Sequence, residues 1–581
     1  SWLGVEDDLA LGSPSDGTIV EDGATLSLGS ITISDEPLQI AGSGTPASGG
    51  ALYVSNFITQ AVYNGPISLA ADARIGSTGE LILNGTIDTS DATLTINATA
   101  SGTIELNGSV TGNASGFDDD VLIGGGGTVT MSAANTYQGT TSITNGTRVL
   151  LSAANALPTA NGRSSLAMDA TGQGGSTLDI SGTSQSIASL TGEPTSTIIL
   201  GSSDLTIGHG SGINANGEAG ANFQGVISGA GGIIKDDTSL QEFSGTNTYE
   251  GLTSITGGVL RVSNASGLGS TMNGSSVADG ASLVVNGVTI TDETLTIEGS
   301  GAARIGGALS DGGSTASYNG PIVLVDAATI RSDAGGAFSL GGAIDKSNQT
   351  LTIDAAGTTN VNGSITGDAT GFDDDMIFSG GGIVNLNAAN SYLGPTFIIG
   401  GTIVNANVEN ALPSTNGRTS LTMDGTGPGG STLDISGTSQ SLASLAGATT
   451  SRILLGGNTL TVGFGATPNT NGTPAANFEG VISGVGTLIK DDTSTQILSG
   501  ANTYAGITDV NAGTLTIASD TALGSIATPG SATNVSGGAI LALQDGITSG
   551  ERVILFNNAS LTNNSSTNTL SNLLLVEHDI N

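Results

Sequence analysis

Cysteine is absent from this 581-residue chain, so neither disulfides nor thiolate metal sites hold it together. Histidine occurs only at His209 and His578, and aromatic residues make up 3% of the whole. Basic residues are scarce too: 12 Lys plus Arg stand against 50 Asp plus Glu, a net charge of −38. Such a balance repels nucleic acid and anionic membrane surfaces and favours solubility or association with divalent cations. No apolar run approaches the length that crosses a bilayer, so no membrane insertion by this chain is expected. Ser1-Trp2-Leu3-Gly4 also lacks the basic start and apolar stretch of a secretion signal.

What is present is repetition. Gly116-Phe117-Asp118-Asp119-Asp120 returns as Gly371-Phe372-Asp373-Asp374-Asp375, and Asn247-Thr248-Tyr249 returns as Asn502-Thr503-Tyr504, so 372 − 117 = 504 − 249 = 255 residues. Residues 176–186 are identical to residues 431–441. Repetition of this kind points to stacked units, here 1–257, 258–512 and a partial 513–581 in one continuous solenoid, because a solenoid adds rungs without closing separate cores.

Short alternating stretches such as Thr93-Leu94-Thr95-Ile96-Asn97 and Thr103-Ile104-Glu105-Leu106-Asn107 read as strands with Leu94, Ile96, Ile104 and Leu106 inward. Each ends in Asn-Gly, Ser-Gly, Asp-Gly or Gly-Gly, which accept a tight corner. A disordered chain would share the 93 glycines but not the 37% hydrophobic residues in alternation. Scarce aromatics favour the narrow interior of a coiled parallel β-helix over a sandwich core with Trp, Tyr or Phe anchors. The expected fold is therefore all-β, a parallel β-helix or β-solenoid forming a single elongated rod, with roughly 20 to 25 residues per coil. Residues 155–163 and 410–418, both containing Asn-Ala-Leu-Pro, are expected to form protruding corners, each with a turn of helix.

A smaller motif occurs four times, around Tyr137, Tyr249, Tyr392 and Tyr504: Asn-Thr/Ser-Tyr, then Gly two residues on, then Thr, then Ile or Val. Upstream of two copies, Gly225-Val226-Ile227-Ser228-Gly229 leads to Lys235, and Gly480-Val481-Ile482-Ser483-Gly484 leads to Lys490. This pattern resembles the autotransporter-associated β-strand repeat of bacterial surface passenger proteins, most closely over 244–255 and 499–510. The resemblance implies a right-handed parallel β-helix, exported and displayed outside the cell, and implies no reaction. It also implies a terminal β-barrel in an intact autotransporter, which Glu577-His578-Asp579-Ile580-Asn581 does not resemble. Either a fragment of something longer or subunits stacked end to end is the expectation from these ends.

Candidate chemistry is thin. His209 lies in a Gly-Ser-Gly loop with Phe464 as its repeat counterpart, and His578 is at the chain end, so neither reads as a catalytic base. The triplets Asp118, Asp119, Asp120 and Asp373, Asp374, Asp375 are the calcium candidates, since hard cations take several carboxylate oxygens. The plainer reading is a solvated turn copied by duplication. Asp236-Asp237 and Asp491-Asp492 read as local ion pairs or caps beside their lysines. The four motif tyrosines could form a sugar-binding row, but packing at corners accounts for them better, and Asn135, Asn247, Asn390 and Asn502 read as partners of corner backbone.

The reading that follows is a non-enzymatic extracellular structural protein, a β-solenoid fibre or adhesin shaft with no cofactor except calcium in question. Its expected partners are further copies end to end, or a host or surface polysaccharide or receptor. The alternative is a carbohydrate-active β-helix enzyme of polysaccharide lyase or glycoside hydrolase type. Such an enzyme would be expected to break the repeat symmetry at one site.

Overall fold

A computed structural model of the chain describes residues 1–112, 120–159, 163–169, 174–208, 220–367, 375–414, 417–427, 429–463, 475–526, 531–556, 558–564, 567–572 and 574–577. It divides into two compact units, Ser1–Val284 and Val285–Asn581. Among the described residues every regular element is a β-strand, and the strand pairings with a described register are all parallel.

In the first unit the chain winds past three faces in turn. One face stacks Trp2–Val5, Thr25–Leu28, Leu52–Val54, the second half of Ile67–Ser77, Leu94–Ala98 and Val121–Gly124. A second is a nine-stranded sheet running from Thr32–Ile33 to Val226–Ser228. The third begins with Thr18–Val20, Leu38–Gly42, the first half of Ile67–Ser77 and Ile87–Asp88. Long strands such as Ile67–Ser77 and Ile233–Phe243 turn one corner without breaking, so each belongs to two faces. The second unit repeats the plan, with a nine-stranded sheet from Thr289–Ile290 to Val481–Ser483 and corner-turning strands Ile322–Ser332 and Thr487–Leu498. These are β-solenoids, as the short alternating strands require.

Inward and outward positions follow the pleat. Leu94, Ile96, Ile104 and Leu106 are buried as expected, with Thr95 and Glu105 between them turned outward. Each such aliphatic stacks on its equivalent one coil away, as Leu94 does between Ala73 and Val121. Burial of a Leu or Ile contributes roughly 1.5–3 kcal/mol, so coils hold one another and not themselves. Coil length varies more than 20 to 25 residues: paired positions lie 259 − 240 = 19 apart at Leu240 and 223 − 192 = 31 apart at Gly192. At the long coil Gly192 is required for space. A Cβ there would approach the Phe223 ring to 2.5 Å, and Gly447 meets Phe478 in the same way at 2.6 Å.

The expected protruding helical corners do not form in the described part of 155–163 and 410–418. Asn155 and Asn410 take φ of 56°, which ends any helical path, and Ala156, Leu157, Ala411 and Leu412 are buried in the wall. The apolar pair is drawn inward because the neighbouring coils need it as a rung.

Candidate functional site

The four Asn-Thr/Ser-Tyr motifs occupy strand positions in the stack without forming strands. In the first unit Asn247 sits where the ladder should run from Ile227 to Gly267. Its carboxamide takes over the peptide's role: Oδ1 accepts from the Ile227 N–H at 3.0 Å and Nδ2 donates to the Gly267 carbonyl at 2.8 Å. Asn135 bridges Val110 and Ala156 identically, at 2.7 and 2.6 Å. In the second unit Asn390 bridges Ile365 and Ala411, and Asn502 bridges Ile482 and Ala522. All four asparagines are 2% exposed. Buried backbone groups must be paired, and a side-chain amide carries the same donor and acceptor as a peptide.

The motif tyrosines point into the core. Tyr137, Tyr249, Tyr392 and Tyr504 are fully buried, and their hydroxyls meet those of Thr141, Thr253, Thr396 and Thr508 at 2.6 to 2.9 Å. This pairing explains the Thr four residues after each Tyr. Six of the seven tyrosines are fully buried, so a surface row of sugar-binding rings is not what the motif builds. The motif glycines Gly251 and Gly506 allow coils to touch: a Cβ would lie 2.3 Å from Gly231 backbone and 1.9 Å from Gly486 backbone.

The Lys-Asp-Asp segments are more elaborate than local ion pairs. Lys235 and Lys490 are buried inside the solenoid, each ion-paired with the second following Asp, Asp237 or Asp492. Burial pushes the Lys490 ammonium below its usual pKa, against the opposing pull of Asp492. The other aspartate reaches across several coils. Asp236 takes both terminal nitrogens of Arg163 at 2.5 and 2.8 Å, and Asp491 takes those of Arg418 at 2.7 and 3.0 Å.

Gln185, Gln241, Gln440 and Gln496 belong to no motif read from the sequence, yet all four are buried. Gln241 exchanges hydrogen bonds with both the N–H and the carbonyl of Leu190 and donates to the Ala221 carbonyl; Gln496 does the same with Leu445 and Ala476. Gln185 and Gln440 serve Leu157 and Leu412. Their signal was an amide at an inward position of an alternating strand, recurring at 255 residues.

Of the calcium candidates, Asp118, Asp119, Asp373 and Asp374 lie outside the described residues, as do His209 and His578. Asp120 accepts from the Thr140 N–H at 2.7 Å, a turn role, while the Asp375 carbonyl accepts from Leu351. Among the described residues no group of three or more His, Cys, Asp or Glu converges on a point that would hold a metal.

The passenger-associated-transport-repeat family matches residues 124–147, 233–262, 379–404 and 488–517, one match for each Tyr motif. The chain carries autotransporter passenger-type repeats. A stretch of 286 residues is also 32% identical to the adhesin BmaC autotransporter of Brucella suis biovar 1 (strain 1330). That stretch covers 45% of this chain and 8% of the Brucella protein, so the chain spans a small fraction of that relative's length. Within each passenger-type repeat, the polar residues that define the pattern are those already placed: Tyr and Thr in the core, Asn in the ladder, and in two repeats the buried Lys.

Proposed function

We propose that the chain acts outside the cell as a non-enzymatic adhesin or structural shaft of the autotransporter passenger type. The observation that carries this is where the repeats place their polar groups. Asn247, Tyr249, Lys235 and Gln241, with their copies Asn502, Tyr504, Lys490 and Gln496, are buried and bonded to the chain itself. Residues with the chemistry of an active site are thus used as rungs, which supports a scaffold and not a catalyst. The likeness to a Brucella adhesin and the passenger-type repeats support display at the cell surface.

Incubation of the purified chain with neutral and acidic polysaccharides tests the non-enzymatic part. No new reducing ends and no unsaturated uronate absorbance are expected. Turnover that disappears when one carboxylate is replaced by its amide would overturn the reading in favour of a carbohydrate-active enzyme.

A further inference from the structure

The two units are near copies inside, but one outer face has diverged. On the nine-stranded sheet of the second unit, three successive strands, Thr358–Val361, Ile383–Leu386 and Ile403–Ala406, stack in register. Their outward positions carry two parallel asparagine ladders. Asn385 donates to Asn360 at 2.8 Å and Asn405 to Asn385 at 2.7 Å; Asn387 donates to Asn362 and Asn407 to Asn387, both at 2.8 Å. Beside them Ile383 and Ile403 are each 37% exposed. The equivalent face of the first unit keeps an outer asparagine at Asn107, which donates to Asn84 at 2.9 Å, but holds Glu105, Thr130 and Leu150 where the inner ladder stands, and Arg148 where Ile403 stands. Arg148 there pairs with Asp179 at 2.7 Å.

We propose that this amide face of the second unit binds a neutral oligosaccharide. The proposal rests on the adhesin reading and names its ligand class. The outward residues of the three strands are uncharged, on a chain of net −38 and with Asp434 of the next strand beside Asn405, so an anionic ligand is repelled by the surroundings. An asparagine ladder uses one N–H and one oxygen lone pair per amide and leaves the others for hydroxyl groups, which both donate and accept. Ile383 and Ile403 supply apolar surface at the edge for the C–H side of a sugar ring. Three strands about 4.8 Å apart and five residues at about 3.3 Å give an area on the order of 200 Å², far below the ~800 Å² per partner of a stable protein interface. That size fits a few sugar residues and not a second copy of the chain.

The test uses the full chain on an array of neutral, sulfated and sialylated oligosaccharides, followed by titration calorimetry with the best neutral binder. Three substitutions to the first unit's own residues, Asn360→Glu, Asn385→Thr and Asn405→Leu, should weaken that binding at least tenfold. Ile403→Arg, also a first-unit residue, is the second variant and should weaken it too; unchanged circular dichroism confirms folding in both. Binding of no neutral sugar, equal capture of sulfated sugars, or full affinity in both folded variants would overturn the proposal. Adhesion to cells that survives the triple substitution would overturn it while leaving the adhesin reading intact.

Discussion

Arg163 and Asp236 are 73 residues apart in sequence and joined by two parallel N–H···O bonds, and Arg418 and Asp491 repeat the pairing at the same separation. Each arginine also donates to a glycine carbonyl, Gly208 at 2.9 Å or Gly463 at 2.8 Å. The pair is a clamp across coils that the ladder alone joins only to nearest neighbours. Both ends are partly buried, with side chains 17% and 24% exposed in the first unit, so they are screened less than surface charges.

Arg163→Met should therefore cost about 1–3 kcal/mol, because it leaves the Asp236 carboxylate half-buried without its donors. Hydrogen exchange checks it: the Gly208 amide, which donates to Ile187, should exchange faster in the variant. Exchange unchanged there would show that the clamp is idle.

Asn247→Ala removes one side chain but strands two backbone groups, the Ile227 N–H and the Gly267 carbonyl. A loss of about 2–6 kcal/mol is expected, since each buried orphan costs about 1–3 kcal/mol. Asn247→Asp keeps the acceptor for Ile227 but sets a carboxylate against the Gly267 carbonyl, so it should fail to rescue. Urea midpoints of the three proteins decide the matter; a mild Asp variant would contradict the surrogate-peptide role.

The pattern of what the sequence showed follows from the same bonds. Leu94, Ile96, Ile104 and Leu106 could be placed inward because alternation is local, and the four Tyr motifs could be grouped because they recur. The partner of Asp236 was not legible, because Arg163 lies several coils away and no local pattern ties them. Asn247 and Gln241 look like turn or surface residues by type, and only stacking reveals that their amides complete a ladder. The corner at 155–163 departs from its sequence expectation for a related reason: Asn-Ala-Leu-Pro reads as a turn, while Leu157 is held in the wall by Gln185.

Glu551 makes a pH prediction. It is 3% exposed, and among the described residues both its Oε2 and the buried Thr533 Oγ1 lack a hydrogen-bond partner, whereas Glu36, which stands to the Thr18–Leu38 pairing as Glu551 does to Thr533–Val553, accepts from Thr18 at 2.7 Å. Burial pushes its pKa from 4.5 up to about 7. Between those values the folded state holds a proton the unfolded state releases, so this contribution is full below about 4.5 and is lost as pH rises through about 7. Unfolding of wild type and Glu551→Gln at pH 5 and pH 7.5 tests it. The gap between the proteins should shift in favour of the variant at the higher pH; a gap independent of pH would show that Glu551 is not protonated in the fold.

The most direct measurement displays the chain on a non-adherent bacterial cell and scores attachment to host-cell and polysaccharide-coated surfaces, with the coating assayed for breakdown in the same wells. The expected result is a gain in attachment with the coating intact, lost when Asn247 and Asn502 are both changed to Ala and the solenoid loosens. No gain in attachment, or breakdown of the coating that depends on a single carboxylate, would contradict a solenoid whose repeated polar residues serve structure and adhesion.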